Sequence, residues 1–273
     1  MIMTEFDYLA PATVDEAVTA LAPIGARALS GGQGLLTAMK LGRTSPATLV
    51  DLSRIPELGG VQLLPGGGLR IGAVATLTEL ALALTDTVPG YSALLAAATA
   101  IADTQIRNRA TVGGSLADRY SASDIAAALL ALGGRVQVAG KSGRRTIALN
   151  DFYTPTGPLL AESEIIVAVE VPAPEDDLRA VYERTTDRAT LSPVVGVAVA
   201  LTGPQIRIAV TGATPWPRRI HEAEESALPG RTVVHVGPES RFRDDDVASA
   251  AYRAHLTRVI AGRALARAGA LDA

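Results

Sequence analysis

Apolar residues recur in two rhythms along this chain, and the change from one to the other marks out its elements. Thr13-Val-Asp-Glu16 is a capping box, in which each outer side chain satisfies an otherwise orphaned backbone N–H; Ala17, Val18 and Leu21 follow at helical spacing. Arg27–Leu29 reads as a short strand, Leu35–Leu41 as a helix and Thr48–Asp51 as a second strand. The glycine-rich stretch Ser30–Gly34 joins the first strand to the helix. This strand–loop–helix–strand order predicts a small α/β lobe that closes near Glu57.

Leu69–Ile71 begins a second lobe, with helices expected over Thr76–Leu84 and Tyr91–Ala102. Gln105–Ser115 is too rich in Gly and polar residues for a simple helix. Asp124–Leu132 is an Ala/Leu helix with Ser123 as its cap. Arg135–Val138 and Arg144–Ala148 face each other across the turn Gly140–Gly143, and Ile165–Val171 is a buried strand. Pro172–Asp177, with two prolines and three acids, reads as a linker. Beyond it, Ala180–Arg184, Val194–Leu201 and Gln205–Val210 are strands of an antiparallel sheet. A long helix over Val247–Ala268 ends the chain, its apolar face marked by Leu256, Val259 and Ile260. The expected division is 1–57, 58–172 and 178–273.

Composition narrows what such lobes are made of and what they do. Of 273 residues, 48% are hydrophobic but only 4% aromatic, so the cores are expected to be built from Ala, Val, Leu and Ile. No cysteine is present, which excludes disulfides, thiolate metal sites, iron–sulfur clusters and a cysteine nucleophile on this chain. A net charge of −3 gives no overall pull on nucleic acid. The first residues lack the basic and apolar regions of a signal peptide, and the Ala/Leu stretches are interrupted before membrane-spanning length. The expectation is a soluble, cytoplasmic protein. His221, His235 and His255 are scattered and suggest no metal site.

Two glycine-containing stretches are the candidate chemistry. In Ser30-Gly-Gly-Gln-Gly34, glycine lets a ligand approach the main chain, and backbone N–H groups beside a helix start form an anion pocket, with Gln33 as an extra donor. A tight turn without a ligand is the alternative. Thr111-Val-Gly-Gly-Ser115 offers hydroxyls at both ends and bare backbone at Gly113 and Gly114. Asp124 either accepts hydrogen bonds from a ribose or base, or serves at its helix start. Neither stretch matches G-x-G-x-x-G or G-x-x-x-x-G-K-[ST], and no nucleophile or proton-relay set is evident. Phosphate-cradling loops without catalytic side chains suit a protein whose bound cofactor performs the chemistry.

These residues also resemble a family, nearly end to end: the FAD-binding medium subunit of molybdenum hydroxylases, of the aerobic carbon monoxide dehydrogenase and xanthine dehydrogenase type. Phe6-Asp-Tyr8…Pro11…Thr13…Glu16-Ala17 is similar to its start. Leu29-Ser-Gly-Gly-Gln-Gly-Leu-Leu36 resembles its first FAD loop, and Gln105-Ile-Arg-Asn-Arg-Ala-Thr-Val-Gly-Gly-Ser115 its second. Ser123-Asp124 matches its S-D pair, and Ser249-Ala-Ala-Tyr-Arg253 its late S-A-x-Y-R helix. The resemblance implies an α+β fold: a two-part FAD-binding domain of the vanillyl-alcohol-oxidase (PCMH) type, then a C-terminal α+β domain like that of the carbon monoxide dehydrogenase flavoprotein.

It further implies that Leu29, Ser30, Gly31, Gly32, Gln33, Gly34, Leu35 and Leu36, with Thr111, Val112, Gly113, Gly114 and Ser115, hold the FAD diphosphate, and that Ile106 also binds the cofactor. Ser123 and Asp124 would meet the ribose or adenine side, and Leu160 and Arg184 would lie near the flavin. Ser30, Gly34, Ser115 and Asp118-Arg119-Tyr120 depart from the family pattern. Losing the usual Asn amide and loop hydroxyl removes two donors near the phosphates, with Ser115, Arg119 and Tyr120 as substitutes. The implied function is electron transfer from a molybdenum-cofactor large subunit through an iron–sulfur small subunit to an acceptor. The alternatives are a stand-alone flavoenzyme for a small organic substrate and a scaffold that has lost FAD.

Overall fold

A computed structural model describes residues 5–85, 89–118, 122–227 and 234–269. Arg119 and Tyr120 lie outside the described residues. The chain begins β1 (Asp7–Leu9), α1 (Val14–Ala20), β2 (Ala26–Leu29), α2 (Leu35–Lys40), β3 (Thr48–Asp51). These strands form a three-stranded parallel sheet in the order β1-β3-β2. Thr13 caps α1 by accepting from the Glu16 N–H, while Glu16 accepts from the Ala12 N–H at 2.8 Å. The expected β–loop–α–β unit is therefore present, with one strand more than periodicity indicated. All three residues of β1 are exposed, so it carries no apolar alternation to read.

The middle of the chain follows as β4 (Val61–Leu63), β5 (Leu69–Gly72), α3 (Leu77–Leu84), α4 (Ser92–Ala100), α5 (Thr104–Arg107), α6 (Val112–Ala117), α7 (Asp124–Ala131), β6 (Arg135–Gly140), β7 (Gly143–Ala148), α8 (Leu149–Phe152), β8 (Tyr153–Thr154), β9 (Gly157–Pro158) and β10 (Ile165–Val171). The five-stranded antiparallel sheet runs β4-β5-β10-β6-β7, and β8-β9 is a small hairpin. Thr76 and Glu79 form a full capping box on α3. Between Gln105 and Ser115, where no simple helix was expected, the chain forms two short helices, α5 and α6, capped by Asp103 and Thr111. Tyr91 precedes α4 in a 3-10 turn rather than beginning it.

The last part comprises β11 (Arg179–Thr186), β12 (Pro193–Thr202), β13 (Gln205–Thr211), β14 (Arg218–Arg219), α9 (His221–Ser226) and α10 (Ala250–Arg267). Its sheet is antiparallel throughout, in the order β11-β12-β13-β14. Ser249 caps α10, which starts three residues later than its apolar pattern implied. The buried Arg253 guanidinium ties α10 to the sheet, donating to the carbonyls of Val194 and Gly212 at 2.7 Å and to Asp245 at 2.6 Å. Among the described residues, no helix is long and apolar enough to cross a membrane.

The cores cross the sequence divisions. Every residue of β12 is buried because both faces are covered. Val195, Val197, Val199 and Leu201 pack with Ala261, Ala264 and Leu265 of α10. Ala198 and Ala200 point the other way, into a core shared with the Ala-rich α4 and α7. Small residues on both sides permit close approach of helix and sheet. The middle sheet is two-sided as well: Ala139, Ile165 and Val167 join the core beneath α1, while Val136, Val138 and Val169 join that of α7.

Candidate functional site

The sequence places the first glycine-rich stretch between β2 and α2, and the fold sets it against the second. The Ser30 Oγ lies 2.9 Å from the Thr111 Oγ1. Gly31 is so close to the α5–α6 connection that a Cβ there would stand 1.9 Å from the Arg109 carbonyl oxygen. Gly32 has φ +78°, a conformation open to glycine. Among the described residues, no carbonyl accepts from the backbone N–H groups of Gly31, Gly32, Gln33 or Gly34. These donors, carried by a turn whose Gln33 and Gly34 are exposed, suit an anionic group with several acceptor oxygens.

The second stretch has spent its donors. The Val112 N–H donates to the Ala75 carbonyl at 3.0 Å and that of Gly113 to the Ala73 carbonyl at 2.8 Å. The Gly114 N–H reaches the Thr111 hydroxyl at 3.2 Å, and the Ser115 N–H and hydroxyl both go to the Thr111 carbonyl, at 2.9 and 2.8 Å. Val112 and Gly113 are buried. This turn is thus the wall against which the first is positioned, with Gly114 exposed and Ser115 half-buried on its outer side. Ile106 lies one turn earlier on α5, its carbonyl accepting from the Ala110 N–H at 2.7 Å. The Arg107 guanidinium is committed to the carbonyls of Ile101 and Ala102, at 2.9 Å each, across the positive φ of Ala102.

Asp124 and Arg184 meet each other. The Ser123 hydroxyl caps α7, accepting from the Ala126 N–H at 3.3 Å, so Asp124 is released from the capping role. Its carboxylate is buried, accepts from the Tyr182 hydroxyl and pairs with Arg184 at 3.2 Å; Arg184 also donates to the Ala100 carbonyl. Burial pushes the Asp124 pKa up to about 6, with Tyr182 and Arg184 pulling the other way. The same burial, with Asp124 beside it, pushes Tyr182 well up. Leu160 follows the β8-β9 hairpin and packs, half-buried, on the central core.

Two features carried no sequence signal. Gly34, where the family resemblance expects a hydroxyl or acid, faces Asp118 so closely that a Cβ would stand 2.3 Å from its Oδ2. From Asp118 opens a cleft of about 180 Å³, lined by the Tyr153–Pro158 hairpin and by Pro215–Pro217 of the β13–β14 connection. Tyr153 donates to the Leu116 carbonyl at 3.3 Å, and its hydroxyl is pushed well up by burial and by Asp118.

An α+β scaffold in which one glycine-rich turn offers its amides beside a second, buttressing turn suits a protein that holds a phosphate-bearing ligand, with neither a Rossmann nor a P-loop pattern. Residues 4–174 match the family described as FAD binding domain in molybdopterin dehydrogenase, and the chain belongs to it. It is 37% identical over 240 residues to the carbon monoxide dehydrogenase medium chain of Hydrogenophaga pseudoflava, covering 85% of this chain and 82% of that one. It is 31% identical to the nicotine 6-hydroxylase medium subunit of Paenarthrobacter nicotinovorans, over 96% and 97% of the two. Among solved structures, the H. pseudoflava carbon monoxide dehydrogenase superposes with TM-score 0.86 at 32% identity, and the quinoline 2-oxidoreductase of Pseudomonas putida 86 with 0.84 at 26%, each covering 99% of both chains. The cofactor of this family is FAD, and the unpaired amide row of Gly31–Gly34 fits its diphosphate.

Proposed function

We propose that this chain is the FAD-carrying medium subunit of a molybdenum hydroxylase. It receives electrons from an iron–sulfur small subunit, fed by a molybdenum-cofactor large subunit, and passes them to an acceptor. FAD supplies the redox chemistry when bound; the chain's own residues hold it, orient it and govern access. The observation that carries the reading is the contact between the two turns, with the Gly31–Gly34 amides left for a ligand. The relatives named above are medium chains and subunits, which favours this over a stand-alone flavoenzyme.

In this reading Leu29–Leu36 carries the diphosphate on its amides, and Thr111, Gly114 and Ser115 close the pocket with Ile106 alongside. Val112 and Gly113 contribute by fixing that wall. Ser123, Asp124, Arg184 and Leu160 line the course of the cofactor beyond the diphosphate, the buried Asp124–Arg184 pair setting its polar floor. In this reading the divisions remain 57/58 and between 172 and 178, supported by each of the three large sheets lying within one segment. The protein is placed in the cytoplasm, to be checked by fractionation. An absorption spectrum of the isolated chain, and of the chain with partner subunits, tests the assignment. Flavin bands in proportion to protein, and bleaching through the partners on adding substrate, are expected; a chain that takes up no FAD sinks it.

A further inference from the structure

The outward face of α10 has no assigned role. The inward face is spent on the sheet, with Ala254, Ile260, Ala261, Ala264 and Leu265 buried. The other side of the same turns shows Tyr252, His255, Arg258 and Arg263 to solvent, with Val259 and Gly262 half-buried between them. Charge on this helix is one-sided. Its 18 residues carry four arginines and no acid, in a chain whose net charge is −3. Arg253 is committed to Asp245 and Arg267 to Glu183. Among the described residues, no carboxylate pairs with Arg258 or Arg263. Gly262 is a second, independent observation. Glycine inside a helix costs stability relative to alanine. A Cβ at Gly262 would meet nothing within 4 Å, so packing among the described residues gives no reason for glycine there. At such an open position glycine leaves a notch in which a neighbouring backbone can come closer than a side chain would allow.

We propose that the outward face of α10 docks an acid-bearing helix of a partner subunit, seated at Gly262 with its carboxylates toward Arg258 and Arg263. The inference rests on the function proposed above, in which the chain works alongside other subunits. Charge decides the occupant. A second copy of α10 would set arginine against arginine, and the acids of α9 are engaged, Glu222 by Arg241 and Glu224 by Arg219. Two free arginines in a chain of net charge −3 make too small a footprint for nucleic acid. An acidic surface brought by a different protein chain satisfies both cations and fixes the register of the contact.

The test measures assembly. The FAD-loaded wild-type chain, the double variant Arg258→Glu/Arg263→Glu and the variant Gly262→Leu are each titrated with the purified pair of large and small subunits. Leucine at position 262 enters open space and favours the helix, so the isolated Gly262→Leu chain is expected to keep its FAD and to unfold at the wild-type temperature or above. The charge reversal is expected to weaken assembly at least tenfold at low salt, with the loss narrowing as salt rises. Gly262→Leu is expected to weaken it several-fold at low and high salt alike, because its block is steric. Wild-type affinity in either variant overturns the inference and leaves the proposed function standing. So does a mass measurement on the isolated chains in which the wild type is a dimer and the variants are monomers, which puts a second copy on this face. A wild-type chain that binds neither partner subunit overturns both readings.

Discussion

The two glycine-rich turns look alike as strings of letters and do opposite physical work. In Ser30–Gly34 the amides of Gly31 to Gly34 find no carbonyl among the described residues, and the turn is held in place by what touches it from behind. In Thr111–Ser115 the amides are consumed by Ala73, Ala75 and Thr111, and the turn is a rigid support. One offers donors; the other has spent its own. Glycine content alone therefore does not identify a ligand-binding loop; the destination of each N–H does.

Substitutions separate the two jobs. The largest effect is expected from Gly31→Ala, whose methyl group would collide with the Arg109 carbonyl and push the turns apart. Overpacking of this kind costs about 1–3 kcal/mol of stability. Misplacing one amide from a charged acceptor weakens FAD by roughly tenfold or more. Thermal unfolding and flavin content measure both, and wild-type values for both would break the comparison. A pH series probes the buried Asp124–Arg184 pair. Asp124 is raised from 3.8 to about 6 in the fold, so the fold favours its protonated form. That contribution is complete below pH 3.8 and is lost as pH climbs through about 6, on the order of 3 kcal/mol in all. Denaturant unfolding at intervals across this window should show the decline, and Asp124→Asn should flatten it.

Smaller effects sharpen the contrast. Thr111→Val removes the α6 cap and the hydroxyl facing Ser30, and should cost about 1–2 kcal/mol in denaturant unfolding. FAD affinity is expected to fall less than in Gly31→Ala, because the first turn keeps its amides; an equal or greater fall would contradict the division of labour. Smallest is Asp118→Asn. Removing an exposed carboxylate beside the diphosphate turn should tighten FAD by about two- to fivefold at low salt, with the gain fading as ionic strength rises. Equilibrium titration at two salt concentrations measures it.

What the sequence revealed tracks how local the cause is. The β2–loop–α2–β3 unit and the Thr13 cap of α1 are set by neighbouring residues and were readable from them. The loss of the Val112 and Gly113 amides depends on carbonyls at Ala75 and Ala73, on the far side of α3 and α4 in the chain, so no window around Thr111 reveals it. Asp124 and Arg184 each stood out as candidates, but Tyr182 joins them only because β11 passes α7 in space. Trp216 carries no periodicity: a lone aromatic between two prolines becomes part of a cleft wall when the hairpin after α8 comes to face it.

The double-sided burial of β12 changes what Pro172–Asp177 is. Severing the chain there would strip Ala198 and Ala200 from α4 and α7 and bare greasy faces on both halves. The segment is a strap between parts of one body, not a pivot. Neither half is then expected to survive alone, and FAD has to enter a scaffold already assembled rather than be clasped by two halves swinging shut.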